Sequence, residues 1–121
     1  LIAVVCFACF APALALQDNR ITPCAIVTFS SGMPKVAGTT NKYNPYAIAS
    51  VGLPEQLSVG FTLYKVVNGN EIYITSDSDG GYGNYFEAEA VVTLSKGTYK
   101  LYAYYRGETK SDGSVTTYNI G

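Results

Sequence analysis

The chain of 121 residues carries 8 Lys+Arg against 9 Asp+Glu, with no His, no Trp, 11 Tyr and 12 Gly. That length suits one domain and is short for two ordinary ones. Sparse, balanced charge excludes an electrostatic nucleic-acid footprint, and the absence of His removes the commonest general base and metal ligand.

The first 16 residues hold no charge. Leu1 to Phe10 is an apolar run of h-region length, and Ala13-Leu14-Ala15 is a small-x-small cleavage pattern. Residues 1–15 are therefore expected to be a signal peptide, and residues 16–121 a single secreted domain. No Met and no basic stretch precede the run, so the leader is expected to be truncated at its N-terminus. A bilayer span needs about 20 apolar residues; Pro12 and the polarity from Gln17 stop this one short. No stable membrane insertion is expected after cleavage. Cys6 and Cys9 fall in the leader, which leaves Cys24 without an intramolecular partner. A lone secreted Cys is either a buried thiol or half of a pair between chains.

Ile21 to Phe29 reads as the first strand, entered through Pro23. Val27 and Phe29 share one parity, and Cys24 takes the other. Ser30 to Pro34 reads as a turn and Val36 to Asn44 as a polar connection. Tyr46 to Leu53 is a short second strand with Ile48 as its core residue, closed by a turn at Pro54-Glu55. Leu57 to Val67 follows, with Val59, Phe61 and Leu63 inward and Thr62 and Tyr64 outward. Asn68-Gly69-Asn70 is a hairpin signal, because Asn and Gly accept the positive φ of tight turns. Glu71 to Ser76 returns as a strand with Ile72 and Ile74 on one face. Asp77 to Gly83 reads as a long loop.

The best-patterned stretch is Phe86 to Arg106. Phe86, Ala88, Ala90, Val92 and Leu94 alternate with Glu87, Glu89 and Thr93. Tyr99, Leu101, Ala103 and Tyr105 alternate with Lys100, Tyr102, Tyr104 and Arg106. Such alternation marks strands buried on one face, and Ser95-Lys96-Gly97 between them reads as the turn of a hairpin. Gly107 to Gly113 is a last loop, and Ser114 to Ile120 a last, Thr-rich strand. About seven strands and no helical period predict an all-β fold, an antiparallel β-sandwich.

Leu94-Ser95-Lys96-Gly97-Thr98-Tyr99 resembles the E–F corner of immunoglobulin-like and fibronectin type III-like domains. The resemblance implies an immunoglobulin-like sandwich in which Tyr99 is a structural tyrosine corner, with Gly97 and Leu94 placing it. The absence of Trp and of a Cys pair departs from antibody domains. Overall the chain is similar to small secreted β-sandwich proteins of Gram-positive bacteria that have no assigned activity.

Raw material for catalysis is thin, and no catalytic residue is assigned. Glu87 and Glu89 lie on one strand face about 6.6 Å apart by strand rise, near the separation used by inverting glycosidases. An open, solvated face gives neither carboxyl a raised pKa, so pairing with Lys100 or Arg106 is expected instead. Asp77 and Asp79 begin like a calcium loop, but the sixth and twelfth positions are Tyr82 and Ala88 where Gly and Glu are needed. No metal or other cofactor is expected. The outward tyrosines remain. Tyr102 and Tyr104 on one strand, with Tyr64 and Tyr73 in the preceding hairpin, would form an aromatic platform if the hairpins are neighbours, rimmed by Tyr82 and Tyr85. Aromatic faces stack sugars and anchor protein partners; β-propensity alone also favours such rings on an outer sheet face. The expected function is a secreted, non-catalytic binding module for carbohydrate or protein. The alternative is a structural envelope or matrix component that self-associates through Cys24 or an edge strand, which the small net charge permits.

Overall fold

The computed structural model describes residues 27–121. The expected leader, its expected cleavage site and Cys24 lie outside the described residues. Strand accounts for 77 % of what is described, and no helix is present there. The strands are β1 (Val27–Gly32), β2 (Lys42–Tyr43), β3 (Tyr46–Val67), β4 (Asn70–Glu89), β5 (Val92–Thr93), β6 (Gly97–Arg106) and β7 (Ser111–Ile120). Every pairing among them is antiparallel.

β3 is the axis. Ala47, Ala49 and Val51, then Leu57, Val59, Phe61 and Leu63, are buried at every second position, so one face of the strand lies on the core along its length. Its two halves are joined by a bend. Val51 to Pro54 stand opposite Asn84 alone, as the register jumps from Ser50↔Tyr85 to Glu55↔Gly83. Extra residues of this kind bend a strand and increase its twist. Before the bend the free edge of β3 takes β1, and after it the same edge takes β6. β4 follows the opposite edge through both halves. The five-stranded sheet of β1, β3, β4, β6 and β7 therefore curls into a half-barrel. The curl brings Phe29 of β1 against Tyr105 of β6 at 5.1 Å between ring centroids.

The strands do not divide into two facing sheets of similar size. β2 and β5 form a separate two-stranded ribbon, tied by Leu94 N–H to Asn41 O at 2.9 Å. Val92, Leu94 and Ala90 pack from that side onto the core.

Several local expectations give way. Phe86–Arg106 keeps its parity, with Ala88, Leu94, Tyr99, Leu101, Ala103 and Tyr105 buried, but it is no hairpin. Phe86 to Glu89 ends β4 beside the first half of β3, whereas β6 pairs with the second half and with β7. Pro54-Glu55 is no turn, because β3 runs through it as a bulge. Ile48 is half-exposed, and its neighbours Ala47 and Ala49 take the core side. Ile72 is exposed while Ile74 packs on the core. The register shift between Leu63 and Tyr64 separates the faces of those two isoleucines. The stretch from Asp77 to Gly83 is not a loop but a continuous part of β4, paired residue by residue with Phe61 down to Glu55. The Asn68-Gly69 turn holds, with φ of 53° and 80°, the two positive values of a tight hairpin.

Candidate functional site

The outward parity of β4, β3 and β6 carries the tyrosines. Tyr64 stands opposite Tyr73 on one side and Lys100 on the other, and Thr62 stands opposite Tyr102. The rings meet edge to face. Tyr64 and Tyr102 have centroids 5.5 Å apart at 88°, and Tyr64 and Tyr73 lie 6.3 Å apart at 79°. That geometry suits the aromatic quadrupole, and it makes a herringbone cluster rather than a flat platform. Tyr73 is the most accessible of the three at 58 % exposure, so its ring is the one a partner would meet first.

The cluster is held by its polar tips. Tyr102 O–H donates to Glu71 Oε2 at 2.7 Å, and Lys100 Nζ lies 3.5 Å from the same oxygen. The bond to Glu71 holds the Tyr102 hydroxyl above the usual tyrosine pKa, with partial desolvation and the Glu71 charge adding to it. Tyr73 Oη and Ser76 Oγ share a hydrogen bond of 2.9 Å. Tyr104 lies one step further along β6 and covers Gly60, where a Cβ would sit 2.6 Å from the tyrosine hydroxyl. The Arg106 guanidinium carbon lies 5.4 Å from the Tyr104 ring centroid. Four of the six predicted tyrosines thus gather on one stretch of this face.

Tyr82 and Tyr85 do not rim that cluster. Tyr82 stands opposite Gln56 at the far end of the face, nine residues of β4 from Tyr73 and about 30 Å by strand rise, though only four rungs of β3 from Gly60, which Tyr104 faces. Tyr85 stands opposite Ser50, beyond the bend, and donates to Glu87 Oε1 at 3.2 Å. Partial burial first, then the Glu87 carboxylate, raise its pKa. Glu87 and Glu89 do not meet Lys100 or Arg106. Glu89 Oε1 accepts from Asn44 Nδ2 at 3.3 Å, and Lys100 is committed to Glu71.

Asp77 and Asp79 have a role that the loop reading missed. Asp77 Oδ2 accepts Glu89 N–H at 2.9 Å, and Asp79 Oδ2 accepts Glu87 N–H at 3.1 Å. β4 is curled enough for its middle to satisfy the edge of its own end. Among the described residues no cluster of three or more Asp, Glu, His or Cys is placed to hold a metal ion. Tyr99 is buried, and its O–H donates to Ser95 O at 2.7 Å. Gly97 faces the Lys65 side chain where a Cβ would come within 2.8 Å of Cε. Leu94 sits in the core beside them.

No protein-family model and no curated protein matches the chain.

One arrangement was not anticipated. Glu55 is the core-facing carboxylate of β3, only 7 % exposed. Its Oε1 accepts Glu108 N–H at 2.7 Å, while Glu108 Oε2 accepts Gln56 N–H at 2.8 Å. This reciprocal clasp fixes the β6–β7 turn onto the bend of β3, aided by Gly107 N–H to Lys110 O at 2.7 Å. Its one trace in the sequence is a Glu on the parity of Leu57, Val59, Phe61 and Leu63. Beside the clasp is an open cleft of about 310 Å³, lined by Gln56, Ser58, Gly80, Arg106, Gly107 and Glu108 among others.

Proposed function

We propose that the chain is a secreted, non-catalytic recognition module that presents the outer face of β4, β3 and β6 to a carbohydrate or a protein. The observation that carries this reading is the Tyr73–Tyr64–Tyr102 cluster, with its hydroxyls tied to Ser76 and Glu71. Tyrosine supplies large contact area with few rotatable bonds, and tethered tips lower the entropy lost on binding. Kinship with immunoglobulin-like sandwiches is part of the proposal, supported by the Tyr99–Ser95 bond of the tyrosine-corner type.

The test is binding of residues 16–121 to a panel of glycans and to isolated cell-wall material, with Tyr73→Ala/Tyr102→Ala alongside. A loss of about tenfold or more with a nearly unchanged melting temperature supports the face. Unchanged binding by the double variant sinks it.

A second reading is structural self-association. It is favoured by β7, an unbulged strand of ten residues that pairs only with β6 among the described residues. Val115 on it is 57 % exposed, and the strand carries no Lys to guard the edge. Sedimentation over a wide concentration range, with and without reductant, separates the readings. Reversible association weakened by Val115→Lys favours the edge, and a reductant-sensitive dimer favours Cys24.

A further inference from the structure

The cleft at the β3 bend has a chemistry of its own. Gln56 and Ser58 of β3, Gly80 of β4 and Arg106 of β6 all carry the outward parity, with Ser58 paired to both Gly80 and Arg106. The cleft is open, and at Gly80 its floor is bare backbone pressed against β3. A Cβ there would sit 2.8 Å from Leu57 O. The wall on the β6 side is Arg106, lying over the Tyr104 ring at 5.4 Å. Next to it stands Glu108, whose carboxylate is held by Gln56 N–H and whose backbone is held by Glu55. Tyr82, 70 % exposed, lies just outside this lining, paired with Gln56 and about 12 Å from Arg106 by two strand spacings and two rungs.

That combination selects among ligand classes. An anion would be drawn to Arg106 but repelled by Glu108 and by Glu55 behind it. A cation meets the reverse conflict. An apolar ligand finds Leu57 and glycine surface on the floor, but it leaves Arg106, Glu108 and Ser58 without partners. A neutral polyhydroxylated ligand satisfies every group at once, because each hydroxyl both donates and accepts. Such a ligand takes Arg106 as donor, Glu108 as acceptor, Ser58 as either, and the exposed Tyr82 ring as a stacking surface. The volume of about 310 Å³ lies at the low end for small-molecule sites, the scale of one or two sugar rings.

We propose that this cleft is a saccharide subsite for neutral sugars, built by the Glu55–Glu108 clasp at one end of the tyrosine face. The assignment rests on reading that face as a recognition surface, and it chooses carbohydrate over protein as the ligand. The test is titration of the folded chain with defined neutral oligosaccharides, namely cellotetraose, chitotetraose and mannotetraose, followed by NMR. Arg106→Gln and Tyr82→Ala are compared with Tyr73→Ala, and Glu108→Gln keeps an acceptor for Gln56 N–H while removing the charge. The expected result is shift changes at Ser58, Gly80 and Arg106 with one of the probes. Affinity for these short probes, which fill the cleft without reaching Tyr73, then falls about tenfold or more in Arg106→Gln and Tyr82→Ala, and less than about twofold in Tyr73→Ala. The longer chains of cell-wall material span the cleft and the tyrosine cluster and lose binding in either set of variants. Saccharide binding lost in Tyr73→Ala but kept in the cleft variants overturns the subsite and leaves the face reading intact. No binding to any of the three probes, with a protein captured through Tyr73, overturns the subsite and again spares the face.

Discussion

β4 and β6 flank the same stretch of β3, rung for rung, and differ in almost everything else. Leu63 stands opposite Leu101 on β6 and Thr75 on β4; Phe61 opposite Ala103 and Asp77; Val59 opposite Tyr105 and Asp79. The β6 members of these rungs are buried and the β4 members are not. β6 lies between β3 and β7, so both its edges are paired, and its inner face is buried in the core. Over these rungs β4 is an outer strand among the described residues, held by the backbone ladder to β3 and by Asp77 and Asp79 reaching its own end. A ladder makes a strand. Burial only makes it visible in a sequence pattern.

The largest effect should separate the two neighbours of Leu63. Leu101→Ala leaves a cavity in the sealed core and should cost about 2–5 kcal/mol, whereas Thr75→Ala on the same rung should stay within about 0.5 kcal/mol. Denaturant unfolding of both variants measures this directly. Equal costs would mean that β4 carries a share of the core which its exposure conceals. Tyr99→Phe comes next. It keeps the buried ring and removes only the donor to Ser95 O, so about 1 kcal/mol is expected. A neutral result would make the hydroxyl incidental and weaken the tyrosine-corner reading.

The same contrast explains what was legible. The inner face of β6 and the second half of β3 were readable because Tyr99, Leu101, Ala103 and Tyr105, and Val59, Phe61 and Leu63, alternate without a fault. The Asn68-Gly69 turn was readable because its chemistry is local. Asp77 to Gly83 was not, since Asp and Gly are turn formers by propensity and β4 overrides that with long-range pairing. Ile48 misled because size suggested burial, whereas parity with Val51, Leu57 and Val59 turns the smaller Ala47 and Ala49 to the core. The outer tyrosines were found from parity alone. Their edge-to-face arrangement, and the distance of Tyr82 and Tyr85 from them, depend on register, which a single sequence leaves open. The cleft was missed because its parts come from three strands.

Asp77 and Asp79 sharpen the comparison from the β4 side. Asp77→Ala/Asp79→Ala removes the acceptors of Glu87 and Glu89 N–H. Those amides are near solvent and can turn to water, so each substitution should cost about 0.5 kcal/mol or less. The clearer readout is hydrogen exchange, which should quicken at the Glu87 and Glu89 amides and stay slow along β6. Protection unchanged at both amides would show that the curl of β4 does not depend on these carboxylates.

The smallest effect concerns alkaline pH and again divides β6 from β4. Tyr105 has its pKa raised chiefly by burial, with Asp112 and Glu55 adding to it; Tyr102 is raised by its bond to Glu71 and Tyr118 of β7 by burial. The folded state therefore holds these protons more tightly than the unfolded chain. Their contribution to stability is fully present below the unfolded tyrosine pKa of about 10 and is lost as pH rises through the folded values. Stability should fall from about pH 10 upward. Tyr105→Phe on β6 should flatten that fall, because it removes an ionisation that the core opposes. Tyr85→Phe on β4 should leave the slope nearly unchanged, because its hydroxyl is exposed and solvent screens Glu87. If the two variants flatten the curve equally, the burial that distinguishes β6 from β4 does not control the alkaline limit, and charge repulsion across the whole tyrosine-rich surface does.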